Sequence, residues 1–252
     1  MIRNLLLLAL LSLASATPVL ADEIFSLKVG FASLDADGQF AGENGGSGTR
    51  VDFENDLNFD DSQDVFAEAA VQLGPFRLSG GYLPLEFSGN GAINRNITFD
   101  GQTFTAGANV ASDVEIDVFD IGLAFHILNF DDGPLRVQLG PELAVKIAEI
   151  DLSFRDTSGG ASENVSATVP VPTLGARGRV ALSDFVGVVG RVGYLAVRDN
   201  SFLDAEIQLE YSPIPLLGVF AGYRYIDVDV DESDVVLQST FSGVFAGVLA
   251  RF

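Results

Sequence analysis

The chain has 252 residues, no cysteine, no tryptophan and a formal net charge of −21, yet its mean hydropathy is +0.31. That acidity excludes a nucleic-acid binder, and the absence of thiols excludes a disulfide scaffold or a thiolate metal site. Past the N-terminus no run approaches the roughly 18 uninterrupted apolar residues of a spanning helix, whereas a lipid-facing β surface with acidic loops reconciles high hydropathy with high charge.

The N-terminus carries the marks of a targeting segment. Arg3 supplies the positive start, "LLLLALLSLASA" is an apolar stretch of signal-peptide length, and "VLA" before Asp22 fits small-residue cleavage after Ala21. This divides the chain into a leader, 1–21, and a single mature domain, 22–252.

From residue 24 onward apolar residues recur at every second position, the period of a strand with unlike surroundings on its two faces. Phe25, Leu27, Val29 and Phe31 alternate with Ser26, Lys28 and Gly30; Val65, Ala67, Ala69, Val71 and Leu73 oppose Glu68 and Gln72. Phe76, Leu78 and Tyr82 oppose Arg77 and Ser79, with a bulge predicted at Pro84. The pattern returns over 119–127, 135–148, 174–182, 188–194, 203–211, 217–225 and finally "SGVFAGVLARF" at 242–252. About ten strands result, an even number as in bacterial transmembrane barrels, or eight if one hairpin stands above the membrane. The predicted fold is all-β: a closed, antiparallel, up-and-down transmembrane β-barrel.

Connections and charges sort in the same way. Gly74-Pro75, "NFDDGP", Ser183-Asp184 and "SPIP" are tight breaks, whereas 35–64, 88–113 and 155–168 are predicted as long polar loops, the second with a hairpin at "TFDGQTFT". Lys28, Arg77, Arg136, Lys146, Arg177, Arg179, Arg191, Arg224 and Arg251 all fall on the polar parity, and Arg50, Arg95, Arg155 and Arg198 in loops. An Arg or Lys facing mid-bilayer costs about 2–4 kcal/mol, so lipid enforces such an exclusion. Tyr82, Tyr194, Tyr211, Tyr223 and Tyr225 lie on the apolar parity, as interfacial girdles require.

The last strand ends on Phe252, which is expected to pair with the first strand and leave no sheet edge in lipid. With apolar residues at alternate positions before it, this end resembles the C-terminal signal of bacterial outer-membrane β-barrel proteins; "VDFENDLNFDD" and "GYRYIDVDVD" resemble segments of small porin-like or OmpA-like barrels. The resemblance implies a Gram-negative outer-membrane location, recognition of Phe252 by the barrel assembly machinery, and lipids and lipopolysaccharide as surroundings.

Three groups of residues are candidates for chemistry. His126, the single histidine, sits beside a tight turn without a serine-rich partner segment, so an outer-membrane lipid-modifying enzyme is the weakest reading. Arg136, Glu142, Lys146, Arg177, Arg179, Arg191, Glu206 and Arg224 form a predicted lumen charge cluster, with Glu68, Asp120, Asp204 and Glu210 on the same parity. Paired, these charges plug a narrow barrel; unpaired, the arginines line an anion-selective pore. Asp227, Asp229, Asp231, Glu232 and Asp234 form an acidic loop of the oxygen-rich kind that attracts Ca²⁺ or Mg²⁺, although Glu232 stands where a calcium loop needs glycine. The expectation is a monomeric barrel with a structural or surface-interaction role, without catalysis or cofactor; a narrow passive channel is the alternative.

Overall fold

The computed structural model describes residues 24–42, 50–92, 96–99, 102–130, 135–157, 159, 162–214, 216–232 and 235–252. The expected leader, 1–21, lies outside the described residues. Ten long strands form the wall: β1 (Phe25–Gly42), β2 (Ser62–Leu73), β3 (Phe76–Ala92), β4 (Asn109–Phe125), β5 (Arg136–Asp156), β6 (Ser162–Ala181), β7 (Val186–Val197), β8 (Asn200–Ile214), β9 (Leu217–Glu232) and β10 (Val235–Arg251). Each pairs antiparallel with its neighbours in sequence, and β10 pairs with β1 to close the cylinder. Phe25 and Phe252 exchange backbone hydrogen bonds of 3.0 and 2.8 Å at the seam. The Phe252 ring is 47% exposed and 6.2 Å from the Phe25 ring.

The register fixes the geometry. Stepping through paired residues from Phe25 to Val71, Leu78, Leu123, Leu143, Leu174, Tyr194, Leu203, Asp227 and Thr240 returns to β1 at Asp37. A stagger of that size over ten strands, at about 3.3 Å per residue and 4.8 Å between strands, tilts them by about 40°. Pro84 is predicted to disturb the register: against β4 one register holds from Phe76–Phe125 to Ala92–Asn109, with Pro84 opposite Asp117, whereas the pairing of β3 with β2 ends at Tyr82–Ala67, just before it. A register shift lies at the β8–β9 turn, between Tyr211 and Ile214.

The tight breaks all fall at the end that carries both termini, here called the turn end; the other is the loop end. The loops predicted at 35–64, 88–113 and 155–168 are much shorter than expected, because β1, β3, β4, β5 and β6 run on through them. The predicted hairpin is present as Ile97–Phe99 paired with Gln102–Phe104, its turn residues lying outside the described set.

Near the turn end the apolar parity faces out. Leu27, Val29, Phe31, Leu78, Ile121, Leu123, Leu143, Ile207 and Val248 are all 40% exposed or more. This belt spans about nine residues per strand, or roughly 23 Å along the axis, close to the hydrocarbon height of an outer membrane. Above it the polarity inverts while the register continues. Leu34, Ala36 and Phe40 of β1, Leu83, Leu85 and Phe87 of β3, and Ile226 of β9 point inward, and their outward neighbours are Asp35, Asp37, Glu86, Ser88 and Asp227. The loop end is thus a β-barrel with an apolar interior, standing clear of the belt.

Candidate functional site: the charged lumen

Within the apolar belt, the same alternation that turns leucines outward turns charges inward, and all ten strands contribute to an ion network built as two adjoining sets. Asp204 of β8 sits at the densest point of the first. Arg224 of β9 donates from Nε and Nη2 to its two oxygens at 3.0 and 2.9 Å, and Lys146 of β5 lies 2.7 Å away. Lys146 also donates to Asp120 of β4 at 2.6 Å, and Arg191 of β7 bridges Asp120 and Glu142, the latter at 2.6 Å. Toward the turn end, Glu68 of β2 stands between Lys28 at 3.9 Å, Arg77 at 3.6 Å and Arg177 at 3.5 Å. Lys28 reaches on to Glu210 at 3.5 Å, which also meets Arg179 at 3.4 Å and Arg251. Lys28 lies 5.6 Å over the Phe220 ring, adding a cation–π contact.

These groups are held out of bulk water: Asp204, Glu142, Lys146 and Lys28 are each under 5% exposed. Charges buried in this way persist only when paired, which the network achieves both between neighbouring strands, as in Arg224–Asp204, and across the lumen, as in Lys146–Asp204. Between Lys28, Glu68, Asp120, Arg191, Glu206 and Arg224 remains a cavity of about 30 Å³, room for roughly two waters.

A second closure lies above the charges. The segment after β1 folds back into the mouth, where Val51, Phe53 and Leu57 are buried among Phe40, Phe87, Val110, Val114, Phe154 and Phe241. Phe40 stacks on Phe154 at 5.7 Å and tilts against Phe53 at 5.6 Å. One turn of π-helix at Phe53–Leu57 is braced by the Asp52 amide, which donates to Asp56 at 3.0 Å. The strap crosses β3 at Gly89, where a Cβ would stand 2.2 Å from the Leu57 carbonyl, so only glycine lets the backbones meet.

Of the predicted lumen residues, the structure places Glu142, Lys146, Arg177, Arg179, Arg191 and Arg224 in the ion network, and Glu206 on the same surface, in register with both Arg191 and Arg224. Arg136 does not belong with them. It lies at the turn-end rim, 3.5 Å from exposed Asp184, because β5 carries it below the charged layer. Lys28, Arg77, Arg251 and the partners Asp204 and Glu210 are fuller members than Arg136, and their parity was the signal that places them there. The acidic "loop" needs the same correction: Asp227, Asp229 and Asp231 lie on β9, alternating with inward Ile226, Val228 and Val230. Asp227 accepts from Thr240 at 3.0 Å and Asp229 from Gln238 at 3.4 Å, so strand geometry turns these two carboxylates onto neighbours instead of onto a shared cation. Asp234 lies outside the described residues. Among those described, no group of acidic or histidine side chains is arranged to hold a metal ion. His126 is buried at the turn end with Nδ1 3.2 Å from Gln72 Nε2, and its amide donates to Pro75 at 2.8 Å.

No protein family matches the sequence, and no curated protein does. Among solved structures, the chain is similar to Ail, the attachment invasion locus protein of Yersinia pestis, at 13% identity and a TM-score of 0.39, covering 89% of this chain and 97% of that one. It is also similar to Neisserial surface protein A, at 14% identity and 0.40, covering 90% and 97%. The Pseudomonas putida toluene transporter TodX matches at 10% identity and 0.35, covering 92% and 91%. Likenesses this distant lend no weight to any activity.

Proposed function

We propose that this chain is an integral outer-membrane β-barrel with a sealed lumen, and that its role is structural or interactive at the loop end, without catalysis. One observation carries the reading: an apolar strap packed into the mouth stands above an ion network to which all ten strands contribute. The apolar belt supports membrane insertion, since in water such a surface would be an aggregation site. Flanking aromatics agree. Tyr82 and Phe119 pair at 5.0 Å near its upper edge, while Phe76 and Phe125 pair at 5.0 Å at the turn end. The exposed terminal Phe252 suits a recognition signal for assembly, and the acidic outer wall approaches anionic lipopolysaccharide only through divalent counter-ions.

Planar-bilayer recording of the purified protein tests the reading. Silence is expected from the full chain, and also after deletion of 50–61, because the ion network still fills the bore. Stepwise conductance from the unmodified chain, abolished by Arg177→Gln with Arg179→Gln, would establish the channel instead. Unchanged lipid A and phospholipid profiles in a His126→Ala strain are expected; an altered profile would reinstate an enzyme.

A further inference from the structure

Two stretches of the wall are not closed by strand pairing. Above Ala67–Tyr82 β2 and β3 part, and there the Glu86 amide donates to Asp64 at 3.1 Å and the Asp60 amide to Ser88 at 3.0 Å; the other stretch lies between β6 and β7. β6 and β7 pair from Ala181–Gly187 up to Leu174–Tyr194 and no further. Yet β6 runs on to Ser162, paired with β5 alone, and β7 runs on to Val197. Among the described residues nothing pairs with this edge of β6. Just below, Gly175 and Gly193 let the backbones press together: a Cβ on Gly175 would stand 1.8 Å from the Val192 carbonyl.

The height of the opening is legible from β5. Pro172 and Pro170 lie opposite Val145 and Ile147, the last outward apolar residues before Glu149. The gap therefore starts inside the upper border of the belt. Its chemistry suits that height. Leu182 donates its amide to Val186 of β7, and antiparallel alternation then aims the amides of even-numbered β6 residues at β7. Pro172 and Pro170 are the next two even-numbered residues above the last pair, and neither has an N–H. The two donors that would have hung unpaired in hydrocarbon do not exist.

Behind the gap, Val169, Val171, Leu195, Val197, Phe202 and Ile150 are the apolar inward-parity residues, and Lys146, opposite Val171, is engaged by Asp120 and Asp204 at 2.6 and 2.7 Å. Val169 and Val197 are 41% and 52% exposed although they point inward. Phe202, with Leu152 and Val165, continues this apolar surface into the core of the loop end.

Building on the membrane reading above, we propose that this lateral gap admits a hydrocarbon chain of a lipid from the outer leaflet into the apolar cleft between β6 and β7. At that height the surrounding medium is lipid. A second copy adding as a β-strand would need the amide donors that the prolines remove, and a ligand arriving along the bore meets the strap.

The chain lacks tryptophan, so single tryptophans report locally. Val171→Trp places one in the cleft, and Val118→Trp places one facing the lumen on β4, which is paired there with β3 and β5 on both sides, on the register line through Ala148 and Val169. Leu123→Trp faces lipid. Each variant, folded as judged by heat-modifiable migration, is reconstituted in phosphatidylcholine vesicles with and without bromine on the acyl chains near the headgroup. Quenching of Val171→Trp should be at least twofold deeper than that of Val118→Trp and near that of Leu123→Trp, and Leu195→Trp on the opposite bank should repeat it. Equal quenching of Val171→Trp and Val118→Trp, with Leu123→Trp strongly quenched, overturns the lateral cleft alone; an unquenched Leu123→Trp overturns the membrane reading beneath it.

Discussion

Neutralising Asp204 is the sharpest test of whether the lumen network holds the barrel together. Its carboxylate, 3% exposed, receives both Arg224 nitrogens at 3.0 and 2.9 Å and Lys146 at 2.7 Å. Removing one partner of a buried pair costs about 3–5 kcal/mol, because the remaining charge is stranded. Two charges lose a partner here, but Lys146 keeps Asp120 at 2.6 Å and Arg224 stays opposite Glu206, which puts Asp204→Asn near the lower figure, about 3 kcal/mol. With a denaturant slope of about 3 kcal/mol per molar, the urea midpoint in detergent should fall by about 1 M, followed by far-UV circular dichroism. Asp113→Asn, on the exposed outer wall, should move it by less than about 0.2 M. Adding Arg224→Gln to Asp204→Asn should recover part of the loss, since the stranded guanidinium goes with it. A midpoint for Asp204→Asn indistinguishable from that of Asp113→Asn would refute the idea that the network bears on stability.

Three further outcomes follow from other parts of the molecule. Gly89→Val drives a side chain into the Leu57 carbonyl, which its Cβ would approach to 2.2 Å; the strap should leave the mouth, and limited proteolysis should cut within 50–61 at least tenfold faster while the heat-modifiable barrel survives. Leu123→Arg, 47% exposed near mid-belt, should cost about 2–4 kcal/mol when folding into bilayers is measured, whereas Asp113→Arg above the belt should cost well under about 1 kcal/mol. Deleting Phe252 removes both hydrogen bonds to Phe25 and its ring contact; assembly into liposomes, followed by gel shift, should slow severalfold, and an unchanged rate would deny the residue its sealing role.

The alternation made the ten strands, the outward face and the seam at Phe252 legible, because in a barrel each residue has one of two environments and a period of two suffices to tell them apart. It failed at the loop end for a physical reason. There Leu34, Phe40, Leu83, Phe87 and Ile226 occupy the parity that carries Lys28, Arg77 and Arg224 lower down. Loops and protruding strands are both polar and glycine-rich, but only strands keep apolar residues in phase with the wall below, and that inverted phase was the signal for strands running on to 42, 92 and 156. Within the lumen, parity was sufficient and height was missing: Arg136 shares a face with Lys146, but ten residues of tilted strand carry it to the rim. The strap was not legible: Val51, Phe53 and Leu57 share one parity, as residues of a strand would, yet Phe53–Leu57 is a turn of π-helix and their burial depends on Gly89, far along the chain.

Charge placement bears on the rival channel. Lys28, Arg77, Lys146, Arg177, Arg179, Arg191, Arg224 and Arg251 share the lumen with six carboxylates, Glu68, Asp120, Glu142, Asp204, Glu206 and Glu210, an excess of two positive charges inside a chain whose total is −21. The negative balance must therefore sit outside, and directly above the belt it does: Asp35, Asp37, Glu86, Asp113, Glu115, Glu149 and Asp151 point outward around the wall. With a screening length of about 8 Å and a barrel radius of about 10 Å, an anion at the mouth is still within reach of this collar. Anions favoured by the lumen are repelled at the rim, and cations gathered at the rim are repelled by the lumen. The charge pattern therefore opposes the passage of either ion rather than selecting one, and raising the salt would screen both fields while leaving the strap and the ion pairs in place.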